Sequence, residues 1–302
     1  MKQESVTATI DWLAYTLHWN QSALQNFRKG YDLATLASIV TGCYFGWVPQ
    51  KPRNGYPYVI SSAGLTGLFV MASEPDSPMG VHVSWAGSAL RTIEPRGVLH
   101  DALAAGATVR RIDLAVDIPE GMPGEGFYDR LVAGSAVTSS RTYQLINSNS
   151  GWTVYVGSRT SEKFLRIYDK QAESGLDEPL TRVELECKGD YAEGIAQYVD
   201  QEGYDNFPAI IKGFCDFPDH YSWAKHMASP TLSAGIPKKE KTSDTKRWLM
   251  ESVAPSLAKI VAQDHDFYVS FLLKVMTIAG VGEVQQPPDP FDGAADWTPR
   301  KR

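Results

Sequence analysis

Arg111-Ile112-Asp113-Leu114-Ala115-Val116-Asp117 alternates apolar and acidic side chains, and two later stretches share its habit. They are Phe164-Leu165-Arg166-Ile167-Tyr168-Asp169-Lys170 and Arg182-Val183-Glu184-Leu185-Glu186-Cys187-Lys188. Successive side chains of a β-strand point to opposite faces, so residues two apart lie together. Ile112, Leu114 and Val116 then oppose Asp113 and Asp117; Leu165 and Ile167 oppose Arg166, Tyr168 and Lys170. Val183, Leu185 and Cys187 oppose Arg182, Glu184, Glu186 and Lys188. If the three strands share a sheet, one face is core and the other gathers carboxylates, cations and a phenol.

Around these strands the pattern predicts α+β architecture, antiparallel sheets with interspersed helices. Residues 6–19 alternate like a strand, and Asn20 to Ile39 has helical spacing with Asn20 as N-cap. Short segments at Cys43–Val48, Tyr56–Ser61, Leu65–Ala72 and Gly80–Trp85, punctuated by Gly and Pro, suit a meander. A helix follows from Leu90 to Ala105, then the acidic strand, a short helix near Phe127–Val132, and strands near Thr142–Ile146 and Trp152–Val156. After the tyrosine and glutamate strands, Tyr191–Val199 reads as helix. No repeat of fixed period is present. The expected organisation is a catalytic domain over residues 1–225, a linker at 226–245, a two-helix segment at 246–280 and a disordered tail at 281–302.

Composition narrows the class. The chain has 302 residues, 43% hydrophobic and 21% charged, which are ordinary globular values. No apolar run approaches the ~20 residues of a membrane span, and the N-terminus has no signal-peptide core. Three scattered cysteines without a C-x-x-C point to a reducing, cytoplasmic setting. The formal net charge of −6 argues against a protein that coats nucleic acid through bulk positive charge. Positive charge is local instead, at Lys238-Lys239, Lys241, Lys246-Arg247 and Arg300-Lys301-Arg302. The six histidines form no His-x-His or His-Glu-x-x-His. No G-x-x-x-x-G-K-[ST] loop or G-x-S-x-G elbow is present, which disfavours an ATPase or a serine hydrolase.

The remaining chemistry is that of oxygen ligands and a phenol. Asp113, Asp117 and Glu184 suit a hard divalent cation, Mg²⁺ or Mn²⁺. Asp113 and Asp117 stand roughly 13 Å apart along a strand, so one of them positions rather than ligates. Tyr168 needs positive charge nearby to ionise, and Arg166 and Lys170 supply it. Arg159, after the Gly157-Ser158 turn, is placed to grip a phosphate; Arg182 and Lys188 are further candidate DNA contacts.

Arg111-Ile112-Asp113-Leu114-Ala115-Val116-Asp117, Val154-Tyr155-Val156-Gly157-Ser158-Arg159, Arg166-Ile167-Tyr168-Asp169-Lys170 and Thr181-Arg182-Val183-Glu184, in that order, resemble the Rep_trans family of rolling-circle replication initiators, which has relaxase relatives. Ile10-Asp11-Trp12-Leu13 resembles the start of that domain, and the similarity runs over roughly residues 8–220. The resemblance implies a rearranged HUH-like endonuclease fold and nicking of one strand of double-stranded origin DNA by Tyr168. A 5′-phosphotyrosyl link and a 3′-OH primer result, with metal held by Asp113, Asp117 and Glu184, and Arg166 and Lys170 in the same motif. It also implies single-stranded DNA as product, homodimers and a host helicase as partners. Three alternatives remain at this stage: a relaxase of a mobile element, a DNA-binding regulator without nicking, and a metal-dependent nuclease that attacks with water.

Overall fold

Two eleven-residue strands, β1 (Thr7–Leu17) and β6 (Thr108–Ile118), pair antiparallel at the centre of a ten-stranded sheet. The computed structural model describes residues 5–21, 24, 32–228, 249, 253–263 and 265–278. After β1 come α1 (Leu33–Thr41), β2 (Trp47–Gln50), β3 (Tyr58–Ser62), β4 (Leu68–Ala72), β5 (Val81–Ala86), α2 (Gly87–Leu90) and α3 (Pro95–Ala104). After β6 come α4 (Gly124–Ala133), β7 (Val137–Thr138), β8 (Tyr143–Ser148), β9 (Gly151–Val156), β10 (Lys163–Asp169), α5 (Lys170–Ser174), β11 (Thr181–Lys188) and α6 (Gly189–Glu202). Then follow α7 (Phe207–Lys212), β12 (Cys215–Asp216) and α8 (Tyr221–His226).

The strand order is β2-β3-β4-β5-β1-β6-β11-β10-β9-β8, with every neighbouring pair antiparallel. Each half follows one path: a central strand, a helix, then a four-strand meander that starts at the outer edge and returns to the centre. The sequence carries no fixed-period repeat, yet the topology of the first half recurs in the second. β7 and β12 form a separate two-stranded sheet.

One face of the large sheet is the core. Leu13, Tyr15 and Leu17 of β1, Ile112, Leu114 and Val116 of β6, and Val183, Leu185 and Cys187 of β11 are all buried. The helices cover this face: α6 packs on β6 and β11, α3 on β1 and α6, α4 on β8, β9 and β10. α6 suits that role because Ala192, Ile195, Ala196 and Val199 recur at helical spacing and are buried. Side chains of the opposite sheet face carry the functional groups.

Several boundaries differ from the sequence reading for identifiable reasons. The helix that holds Ile39 starts at Leu33, where the Asp32 side chain accepts from the Thr35 amide at 3.0 Å, so Asp32 is its N-cap. Most of the preceding part of the predicted Asn20–Ile39 helix lies outside the described residues. Pro95 at the first turn, with Glu94 as N-cap, starts α3 five residues later than Leu90; the residues before it form the separate short α2. Lys170 does not continue β10 but opens α5, because Asp169 caps that helix through the Ala172 amide.

The chain divides into two compact units, Met1–Lys239 and Glu240–Arg302. The described residues of the second unit include α9 (Ala254–Gln263) and α10 (His265–Ile278), packed on each other. Most of the predicted linker, the basic clusters at 238–247 and 300–302, and the predicted tail lie outside the described residues. No helix among the described residues is long and apolar enough to cross a membrane.

Candidate active site

Two β-bulges on the central pair enrich the functional face. The β1–β6 register slips between Ile10/Leu114 and Trp12/Asp113, and again between Ala14/Arg111 and Tyr15/Val109. A bulge inserts one unpaired residue and re-aims its side chain. The first puts Asp11 beside Trp12 on the cleft side; the second puts Arg110 beside Arg111 there. Gly87 admits Asp11, since a Cβ at residue 87 would stand 2.6 Å from Asp11 Oδ1.

Across β6, β11 and β10 the register sets the rest. Asp113 opposes Glu186, Ala115 opposes Glu184, Asp117 opposes Arg182, Arg166 opposes Glu184, and Tyr168 opposes Arg182. A cleft of about 370 Å³ results, lined among others by Asp11, Trp12, Asp113, Arg166, Tyr168, Lys170 and Glu184. The Tyr168 hydroxyl donates to Glu184 Oε2 at 3.3 Å. Arg166 pairs with Oε1 of the same glutamate, and its buried Nε has no hydrogen-bond partner among the described residues. Arg166 and Lys170 lie 6.0 and 5.6 Å from the Tyr168 ring centroid, and Lys170 also pairs with Glu173.

The other acids are held by arginines. Arg111 grips Asp113 through two bonds of 2.9 and 2.6 Å, reaches Glu186 at 2.8 Å and stacks 4.6 Å over Trp12. Arg182 grips Asp117 at 2.6 and 2.7 Å and holds Asp11 at 2.9 Å. Arg182 is only 6% exposed and braces two acids. Asp117 is its counter-ion and does not line the Tyr168 cleft. Lys188 pairs with Glu186 and donates to the Arg159 carbonyl. Arg159 is exposed and stacks over Tyr155 and Phe164 at 4.9 and 5.1 Å.

Burial sets the proton balance. Asp113 is pushed up to about 7, chiefly by burial and further by the charges of Glu184 and Glu186, against the pull of Arg111. Asp11 is raised by burial and by Glu184, opposed by Arg182. Tyr168 is raised well above a free phenol, again by burial first and Glu184 second. The resting phenol is therefore neutral, with its proton directed at the nearest base.

Asp11, Asp113 and Glu184 are hard oxygen donors on one cleft, and both aspartates are destabilised by Glu184, so a divalent cation suits them in chemical type. Their oxygens are turned to Arg111, Arg166 and Arg182, and among the described residues no three such side chains stand grouped as ligands. A bound metal would compete with those guanidinia for the carboxylates. Sequence alternation missed Asp11 because the bulge breaks strict alternation at Asp11-Trp12; the Ile10-Asp11-Trp12-Leu13 likeness was the one signal for it.

The structure is an open antiparallel sheet with a tyrosine, acids and arginines on one face, and comparison with known proteins gives its class. The family model for replication initiation factors, Rep_trans, matches residues 107–274, and the chain belongs to that family. β6, β9, β10 and β11 with all four motif segments fall inside the match, whereas Asp11 and the first half of the sheet fall outside it. The match also continues past residue 220, where the motif likeness ended. A similar solved structure is the rolling circle replication initiator protein from Geobacillus stearothermophilus, with a TM-score of 0.59 and 18% identity. The similarity covers 80% of this chain and 95% of that one, a likeness of fold. No curated protein matches the chain.

Proposed function

We propose that this protein initiates rolling-circle replication by nicking one strand of double-stranded origin DNA with Tyr168. The observation that carries the reading is the Tyr168–Glu184 hydrogen bond inside a cleft that also holds Asp113, Arg166 and Lys170. The phenol gives its proton to Glu184, and its oxygen attacks phosphorus in line with the 3′ oxygen. The bond from phosphorus to the 3′ oxygen breaks, and that oxygen takes up a proton. The products are a 5′-phosphotyrosyl link and a 3′-OH primer. Arg166, with a free buried Nε, and Lys170 offset the charge that grows on the phosphate. Asp113 and Glu184, with Asp11, would hold Mg²⁺ or Mn²⁺, which when bound would withdraw charge from the phosphate and favour the phenolate. Arg182 and Asp117 position Asp11, and Arg159 and Lys188 lie toward the far end of β10 and β11, where DNA beyond the cleft would pass.

The test is adduct formation on supercoiled DNA carrying the element's origin, with Mg²⁺ or Mn²⁺, followed by mass spectrometry of the linked peptide. The expected attachment is Tyr168, with Tyr168→Phe binding DNA but forming no adduct. Cleavage that releases free 5′-phosphate and no adduct would mean attack by water. Specific binding without cutting would mean a regulator.

A further inference from the structure

The first half of the sheet carries a second pocket on the same face as the Tyr168 cleft. Thr16, His18, Asn54, Tyr56, His82 and Arg110 contribute to its lining, and its volume is about 420 Å³, within the range of small-ligand sites. Trp12 of the cleft and Thr16 of the pocket share one face of β1, which pairs with β5 without a register slip from Trp12/Ala86 to Leu17/Val81. Four residues of strand put them about 13 Å apart, close to the length of about four stacked nucleotides. In the repeated topology β1 and β5 of the first half stand where β6 and β11 stand in the second, so the pocket is the topological counterpart of the cleft.

The chemistry of the two halves differs. On the second half this face is crowded with Asp113, Asp117, Glu184 and Glu186. On the first half the register puts Val48, Gln50, Val59, Ser61, Phe69, Met71, His82 and Ser84 on that face, with no carboxylate among those strand positions. Tyr56, Val59 and Met71 form a small apolar cluster there, flanked by Phe69 and Met79, and Arg53 stacks 5.0 Å over Phe69. Tyr56 and His82 stack at 5.9 Å. Arg110, exposed at the second bulge, makes no ion pair among the described residues, unlike Arg111 beside it.

We propose that this pocket and the Arg53–Phe69 stack form a second subsite that holds single-stranded DNA on one side of the Tyr168 cleft. The inference rests on the reading that the cleft itself binds DNA. Phosphates avoid a carboxylate-lined surface and gain from an unpaired guanidinium, while aromatic and arginine planes accept bases of any sequence. The carboxylate-free face of β2 to β5 therefore offers the favourable path, with Arg110 taking a phosphate and Phe69 with Arg53 taking a base.

The test uses the full chain and a fluorescent thymidine oligonucleotide about 20 nucleotides long, beyond the ~4–16 that one such surface covers. Arg110→Ala should weaken binding about 5- to 20-fold and reduce the salt slope by about 0.7. Arg110→Lys should restore most of the affinity, and Phe69→Leu should weaken binding with little change in that slope. Weaker binding by Arg110→Ala supports this subsite even where the origin test yields no Tyr168 adduct, which separates it from the nicking assignment. Iodo-deoxyuridine cross-linking should label peptides containing Arg53–Tyr58, Phe69 or His82. Unchanged affinity in Arg110→Ala, or cross-links confined to other surfaces, overturns the proposal. An equal loss of affinity for a blunt duplex of the same length overturns it as well.

Discussion

Tyr168 and Glu184 sit on neighbouring strands two residues out of register, and the phenol oxygen reaches Glu184 Oε2 at 3.3 Å. The residue directly opposite Tyr168 is Arg182, whose guanidinium is drawn away by Asp117 and Asp11. This diversion leaves Glu184 as the partner of the phenol. Because Glu184 also holds Arg166, one carboxylate links the proposed nucleophile to the cation proposed to meet the phosphate.

Glu184→Gln should therefore keep the fold and lose most of the chemistry. The amide can still accept from Tyr168 but cannot take its proton. Adduct formation should drop about 10²- to 10⁴-fold, measured by single-turnover nicking at saturating DNA. Tyr168→Phe should abolish the adduct altogether. Near-normal rates in Glu184→Gln would remove Glu184 as proton acceptor.

Asp113 gives the metal-free protein a definite pH signature. Its ordinary value of 3.8 is raised to about 7 in the fold, so between these pH values the folded state binds a proton that the unfolded chain has released. Stability from this group is full below about pH 4 and is lost as pH rises through about 7. Chemical denaturation of wild type and Asp113→Asn without divalent metal should diverge across this window. The wild type should lose a few kcal/mol relative to the variant. Parallel curves would show that Asp113 ionises normally.

Arg182 should prove structural as well as functional. Arg182→Ala leaves Asp117 and Asp11 without their buried cation, a loss of about 3–5 kcal/mol for a broken buried pair. Arg182→Lys should rescue poorly, because an ammonium cannot reproduce the two-bond grip on Asp117 together with the bond to Asp11. Thermal melts measure the first effect, and adduct yield at a temperature where the variant remains folded measures the second.

Metal should stabilise the chain through the same acids. At 100-fold excess over its Kd, Mn²⁺ should add about 2.7 kcal/mol to wild type. Asp113→Asn combined with Glu184→Gln should abolish that shift, whereas Asp117→Asn should retain it. An equal shift in the Asp113/Glu184 double variant would place the metal elsewhere.

Much of this was legible along the chain. The alternation separated core from functional face over residues 111–117 of β6, 164–169 of β10 and 182–188 of β11, because pleat geometry leaves a strand side chain only two directions. It failed at the Arg110 bulge and at Lys170, which opens a helix. The central helix-covered core followed from the same pattern. Helix starts were less legible, since Asp32 and Glu94 act through backbone amides that only the folded turn brings to them. Asp117 and Arg182 read in sequence as a metal ligand and a DNA contact, and nothing along the chain announces that they pair with each other across the strands.

The amino-acid order alone determined which side chains could share a face, and with that the α+β class and the Tyr168, Asp113 and Glu184 constellation. Only the tertiary structure decided which acid meets the phenol, which acids are spent on arginines, and that Asp11 joins the cleft. Those outcomes depend on register between strands, 16 residues along the chain for Tyr168 with Glu184 and 65 for Arg182 with Asp117, and on the single-residue bulge at Asp11, and neither leaves a periodic trace in the chain.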